Sequence, residues 1–235
     1  MDKQFIRTGL IVAAAAAALS AAATCSRAND LTFSAGATTD YVARGSSQTN
    51  HQPSYSLGVD YTNKSGLYVG SWTENVDFGD GTKQEVDLYG GYRTTFKTVG
   101  LEYGIAAYNY RGDPGDGLDM EEAHVTASRD FGKWSTAVNV AYSPNYFNLG
   151  SRSVWYEARL HYNLTPKWSL GGSVGYQTID RKTIFPPYST YNIGATYALT
   201  PHLSLDARYT TNDLKKAQVG FDADDSISFG IVATY

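Results

Sequence analysis

The side chains of this 235-residue chain that could do chemistry come in alternating rows. Glu157, Arg159 and His161 stand two apart, as do Glu122, His124 and Thr126, Glu85 and Asp87, and Asp206 and Arg208. In a β-strand, period two puts each row on one face. Such rows suit a surface that pairs or conducts ions. They do not suit nucleophilic hydrolysis, which needs a serine held within hydrogen-bond reach of a histidine. At that spacing His124 is followed by Thr126 and His161 by Asn163, while His51 falls in a long connection and His202 in a short turn. A His and a Ser two apart on an outward face are also absent, so the chain is not expected to be an enzyme.

Two acidic groups, Asp113, Asp116 and Asp119 and then Asp222, Asp224 and Asp225, could attract a divalent cation. The spacing is not that of an EF-hand loop, whose terminal Glu is missing. Residues of this kind commonly solvate an exposed loop, and neither a metal nor a cofactor is expected. Clustered positive charge, which nucleic-acid binding requires, is missing too.

The elements that must position the rows are segments of about ten residues, alternating apolar and polar. About twelve can be counted. The last, Ser226–Tyr235, sets Ile227, Phe229, Ile231, Ala233 and Tyr235 against Ser228, Gly230 and Thr234, and ends the chain on an aromatic residue. The first runs Leu31–Tyr41, with Leu31, Phe33, Ala35, Ala37 and Tyr41 on its apolar face. In Leu67–Asn75 the facing is ambiguous, because Leu67 and Val69 compete with Tyr68 and Trp72.

The connections alternate in length. Thr62–Gly66, Thr94–Thr98, Asp130–Lys133, Asn163–Lys167 and Leu199–His202 are tight. Ala43–Pro53, Val76–Gln84, Arg111–Asp119, Ser143–Ser153, Thr178–Tyr188 and Thr211–Asp225 are longer and richer in Gly, Asp and Pro. Short turns on one rim and long loops on the other, with both termini on the short side, are the pattern of outer-membrane β-barrels. The 19 tyrosines fit the aromatic belts of such proteins. The predicted fold is all-β, a transmembrane antiparallel up-and-down β-barrel of about twelve strands. A soluble β-sandwich or lipocalin-like barrel would alternate as well, but does not account for the asymmetry of the rims.

Residues 1–28 read as a cleaved signal peptide and residues 29–235 as the barrel. Lys3 and Arg7 precede the apolar run Leu10–Ala23, which is too short to span a bilayer, and Ser26-Arg27-Ala28 offers a cleavage site. Thr24 before Cys25 is bulkier than lipidation signals favour. Losing Lys3, Arg7, Arg27 and Asp2 takes 19 basic and 23 acidic residues to 16 and 22, and leaves no cysteine. Export to the bacterial outer membrane follows, with outer-membrane lipid and the barrel-assembly machinery, engaged through the C-terminal strand, as partners. The oligomeric state is left open.

The segments Tyr41-Val42-Ala43-Arg44-Gly45-Ser46-Ser47-Gln48-Thr49, Ser65–Trp72, Val76-Asp77-Phe78-Gly79-Asp80 and Glu85–Tyr92 resemble, in order, the TorF-family porins of proteobacteria. The likeness covers residues 40–110 and implies an outer-membrane location. It brings no established catalytic or binding residues.

In such a barrel the polar strand faces line the lumen. They carry Asp40, Asp60, Glu85, Asp87, Glu102, Glu122, Glu157 and Asp206, opposed by Arg44, Arg93, Arg159 and Arg208, with His124 and His161 able to titrate. The acidic excess would bias a water-filled bore toward cations, unless the charges pair and plug it. Two functions stay open at this point. One is a channel for passive diffusion of small hydrophilic solutes or ions. The other is a non-conducting barrel with a structural or surface-binding role through its long loops.

Overall fold

In the computed structural model, residues 29–112, 117–181, 186–214 and 223–235 are described. Residues 1–28, expected to form a signal peptide, and Asp113, Asp116 and Asp222 of the acidic loops, lie outside them.

Twelve antiparallel strands close into one barrel. In chain order these are β1 (Asp30–Thr38), β4 (Ser54–Thr62), β5 (Leu67–Asn75), β6 (Thr82–Phe96), β7 (Val99–Gly112), β8 (Met120–Phe131), β9 (Trp134–Ser143), β10 (Ser153–Asn163), β11 (Trp168–Ile179), β12 (Tyr188–Thr200), β13 (Leu203–Asn212) and β14 (Ser226–Thr234). Between β1 and β4 lies a small separate hairpin of β2 (Val42–Ala43) and β3 (Ser46–Ser47). Each barrel strand pairs with its neighbour in sequence. The ring shuts where β1 meets β14, from Ser34 opposite Thr234 to Thr38 opposite Gly230, with Tyr235 and Phe33 exchanging backbone hydrogen bonds beyond.

Period-two alternation gives the wall two chemistries. Outward residues are apolar and bare: Tyr55 and Ile105 are 68% exposed, Ile193 and Ile227 66%. A water-soluble fold does not leave so continuous an apolar surface uncovered, whereas a lipid-facing belt requires it. Tyrosine sorts to its margins. Tyr55, Tyr142, Tyr156, Tyr176, Tyr191 and Tyr209 ring the long-loop end; Tyr61, Tyr92, Trp134, Trp168 and Tyr235 ring the short-turn end. Aliphatic residues such as Leu57, Val138, Val174 and Leu205 fill the band between.

The short turns follow from their sequences. Lys97, with φ of 57°, and Thr98 alone join β6 to β7, a tighter link than Thr94–Thr98. The matching Thr-Pro turns share one device. The Thr165 hydroxyl accepts from the amides of Lys167 and Trp168, and the Thr200 hydroxyl accepts from that of His202. Gly66 closes the β4–β5 turn with φ of 98°, and a Cβ there would stand 2.1 Å from the Arg93 carbonyl oxygen.

The sequence-level reading needs two changes. Strand β1 ends at Thr38, so Tyr41 leaves the outer face and is 1% exposed inside. The facing of β5 is settled with Leu67 and Val69 outward and Tyr68, Trp72 and Glu74 inward.

Gly66→Ala should lower stability by about 1–3 kcal/mol, since it combines a left-handed backbone with a clash against backbone. Urea titration of the refolded protein, followed by tryptophan fluorescence, measures this.

Candidate functional site

The inward face of the wall is lopsided. From β5 to β8 it projects Tyr68, Trp72, Glu74, Glu85, Asp87, Tyr89, Glu102, Tyr108, Tyr110, Glu122 and His124. From β11 to β14 the inward positions are mostly Gly, Ser and Thr, with Gln177, Asn192, Asp206 and Arg208 among them. Large side chains therefore crowd one half of the bore and leave the other half to be filled from elsewhere.

The filler is the first long connection. In place of arching over the rim, hairpin β2–β3 turns inward on Arg44 and Gly45, whose φ angles of 47° and 84° fit the two central residues of a type I′ turn. Gly45 is required on a second count, since a Cβ there would lie 2.6 Å from Thr190 Cγ2. The segment from Asp40 to Gly45 then touches eight of the twelve strands. Tyr41 packs edge-on against Trp72 of β5 and donates its hydroxyl to Glu85 of β6 at 3.3 Å. Arg44 donates to Glu122 of β8 at 2.6 Å and to Gln177 of β11 at 3.2 Å, with its guanidinium over the Trp155 ring of β10. Gly45 abuts Thr190 of β12 and accepts from Asn212 of β13 at 2.6 Å. Asp40 accepts from Ser226 of β14 at 2.5 Å and also from Ser47 and Thr49, with His51 Nδ1 at 2.8 Å.

An aromatic layer lies above the hairpin at the long-loop rim. Phe78, Tyr110, Tyr146 and Phe147 stack at centroid separations of 4.7–6.5 Å, and burial pushes the Tyr146 hydroxyl up to about 12. Further out, the Lys83 ammonium at 2.9 Å hydrogen-bonds Asp77 and holds that carboxyl below its usual range. Wall residues at this level are sealed, with Gln177, Ser143, Ser54 and Thr82 at 0% exposure. Toward the short-turn end Thr32, Ser34, Asp60, Ser135 and Asn139 become partly exposed.

Each arginine inside the barrel has one acidic partner. Arg44 pairs with Glu122, Arg93 with Glu102 at 2.8 Å, Arg159 with Glu157 at 3.6 Å and Arg208 with Asp206 at 3.2 Å. Glu102 also accepts from Tyr68 at 3.0 Å and lies 3.2 Å from His124 Nε2, while Arg93 covers the Tyr68 ring. Arg208 reaches Asn192, Asp206 accepts from Thr196, and His161 stands 3.1 Å from Asn163. Asp60 accepts from Tyr89. Among the described residues, the carboxylates that line the bore without an arginine partner are thus Asp40, Asp60, Glu85 and Asp87, joined by Glu74, which the ambiguous facing of its strand had hidden. Asp87 Oδ1, Glu122 Oε1 and Arg159 Nε and Nη2 have no protein hydrogen-bond partner.

The sequence pattern left Tyr68 and Trp72 ambiguous and did not mark the other inward tyrosines. Their sign was only that they alternate with aliphatic residues, Trp72 with Leu67 and Val69 and Tyr108 with Ile105. Among the described residues no group of His, Cys, Asp or Glu is arranged to hold a metal ion, and Asp119 instead pairs with Arg111 at 3.0 Å.

A family profile described as a bacterial protein of unknown function (Gcw_chp) matches residues 22–234. No curated protein matches the chain. Among solved structures, the KdgM porin is similar with a TM-score of 0.60 at 8% identity, over 87% of this chain and 98% of its own. The NanC porin gives 0.61 at 12% identity, over 88% of this chain and 100% of its own. A KdgM porin in complex with disordered oligogalacturonate gives 0.58 at 8% identity, over 87% and 97%. At these identities the likeness establishes a shared fold.

Glu102→Ala removes three partners at once and leaves Arg93 uncompensated. It should cost about 3 kcal/mol or more in unfolding free energy. Glu157→Ala, whose pair lies beyond hydrogen-bond distance, should cost clearly less. Equal losses in urea titrations of the two variants would contradict this ranking of the lumen pairs.

Proposed function

The chain belongs to the Gcw_chp family of bacterial proteins of unknown function, and from that premise we propose that it is an outer-membrane, porin-like channel for passive diffusion of small hydrophilic solutes or ions. The observation that carries this reading is the two-faced wall: an apolar belt between aromatic girdles outside, and ionisable side chains facing a common bore inside. The shared fold with KdgM and NanC porins supports it, as does the resemblance of residues 40–110 to TorF-family porins. In this reading residues 1–28 direct export, the short turns and both termini face the periplasm, and the barrel-assembly machinery takes up the β14 end. The apolar belt is solvated by outer-membrane lipid. Transport here is physical passage, with no catalytic step.

The lining is Asp40, Arg44, Asp60, Glu85, Asp87, Arg93, Glu102, Glu122, His124, Glu157, Arg159, His161, Asp206 and Arg208, with Glu74 added. Because the four arginines are each matched by one acid, the surplus carboxylates set the sign of the field and favour cations. The oligogalacturonate of the KdgM complex is a polyanion, and this surplus would disfavour such a solute. The filled long-loop half of the bore favours a second reading, a non-conducting barrel with a structural or surface-binding role.

Single-channel recording in planar bilayers separates the two. The channel reading expects discrete steps and, under a salt gradient, a reversal potential of cationic sign. That sign should weaken as salt shortens the screening length of about 10 Å at 0.1 M. Arg159→Ala should raise the cation preference and Glu157→Ala should lower it. Anion preference in the unmodified protein would refute the assigned lining while leaving the barrel intact.

A further inference from the structure

Antiparallel neighbours need only two to five residues to join them. β1 and β4 are neighbours, yet residues 39–53 connect them, and the middle of that connection is seated across the bore. Its contacts reach β5 and β6 on one side and β10 to β14 on the other, a set that only a segment crossing the lumen can touch. The hairpin's own ladder is only two residue pairs long, so its position is held by the wall more than by itself. At its tip Arg44 is set among Glu122, Glu85 and Tyr108, and among the described residues Asp87 Oδ1 and Glu122 Oε1 have no hydrogen-bond partner. Any solute passing through the long-loop half must pass or displace this tip.

We propose that hairpin β2–β3 is the constriction of the channel, and that Arg44 at its turn sets both the conductance and the charge preference. The proposal rests on the channel reading above. Arg44 offsets part of the carboxylate field at the narrowest level, so the surplus carboxylates give the preference its sign and this residue tunes its strength locally. Removing the guanidinium both widens the passage and leaves the carboxylates unopposed. Removing the hairpin widens it further.

The test uses the full-length protein, Arg44→Ala, Arg44→Lys, and a variant in which two glycines replace residues 42–47. That replacement closes on Tyr41 and Gln48, which are already joined by a backbone hydrogen bond at 2.7 Å. Heat-modifiable mobility in gel electrophoresis confirms that each barrel is folded. Unitary conductance should rise roughly twofold or more in the hairpin replacement and less in Arg44→Ala. The cation-to-anion permeability ratio should rise about twofold or more in Arg44→Ala and return toward the original in Arg44→Lys. A silent parent with a conducting hairpin replacement also supports the proposal, with the hairpin as a closed gate. A conducting parent whose conductance and reversal potential are unchanged in every variant overturns the proposal and leaves the channel reading standing. Silence of both the parent and the folded hairpin replacement overturns both.

Discussion

In hydrocarbon, a backbone amide or carbonyl without a partner costs several kcal/mol, and no water is at hand to supply one. Everything else in this protein depends on meeting that demand by closure. The β1–β14 ladder removes the two edges that an open twelve-stranded sheet would expose, so every strand has a neighbour on each side. Closure then fixes which face of each strand meets lipid, because a slip of one residue would turn Leu57, Ile193 and Ile227 inward and Asp60, Asn192 and Ser226 outward. Strand pairing and the apolar belt are one constraint seen from two directions.

Closure also creates a space that must be dealt with. A twelve-stranded ring is wider than the small barrels that side chains alone can fill, and narrower than the large ones that hold an aqueous channel. Here the bore is treated unequally along its length. At the long-loop end tyrosines, tryptophans, a hairpin and an aromatic layer occupy it; at the short-turn end Ser, Thr and Asn leave it partly wetted. The tyrosines reconcile bulk with polarity, since each of Tyr41, Tyr68, Tyr89, Tyr108 and Tyr110 places its hydroxyl on a carboxylate while its ring fills volume.

Much of this was legible in the sequence because it is local. Alternation, turn chemistry and the unequal connections are decided within a few residues, and they gave twelve strands with the apolar face of β14, β10 and β8 assigned as found. The exceptions have two causes, distant partners and aromatic side chains that suit either face. Tyr41 extends the apolar alternation of β1 but leaves the strand because Trp72 and Glu85, far along the chain, receive it. Tyr68 and Trp72 stayed ambiguous, and Glu74 hidden with them, because aromatic residues occupy both environments of a barrel, so hydropathy cannot rank Tyr68 against Val69. The seat of Arg44 depends on Gln177, 133 residues away, and no periodicity carries information over that separation.

Because its wall partners run from β5 to β14, the seat of the hairpin does not exist until the last strand is in place. Asp40 waits for Ser226, 186 residues later in the chain. Up to that moment Arg44 can already find its partners on β8, β10 and β11, but Asp40 has no anchor on β14. The hairpin's full set of contacts exists only once the ring is shut. The fully anchored state of one small hairpin is therefore a marker of completed assembly, distinguishing a finished barrel from one in which every other strand is already paired.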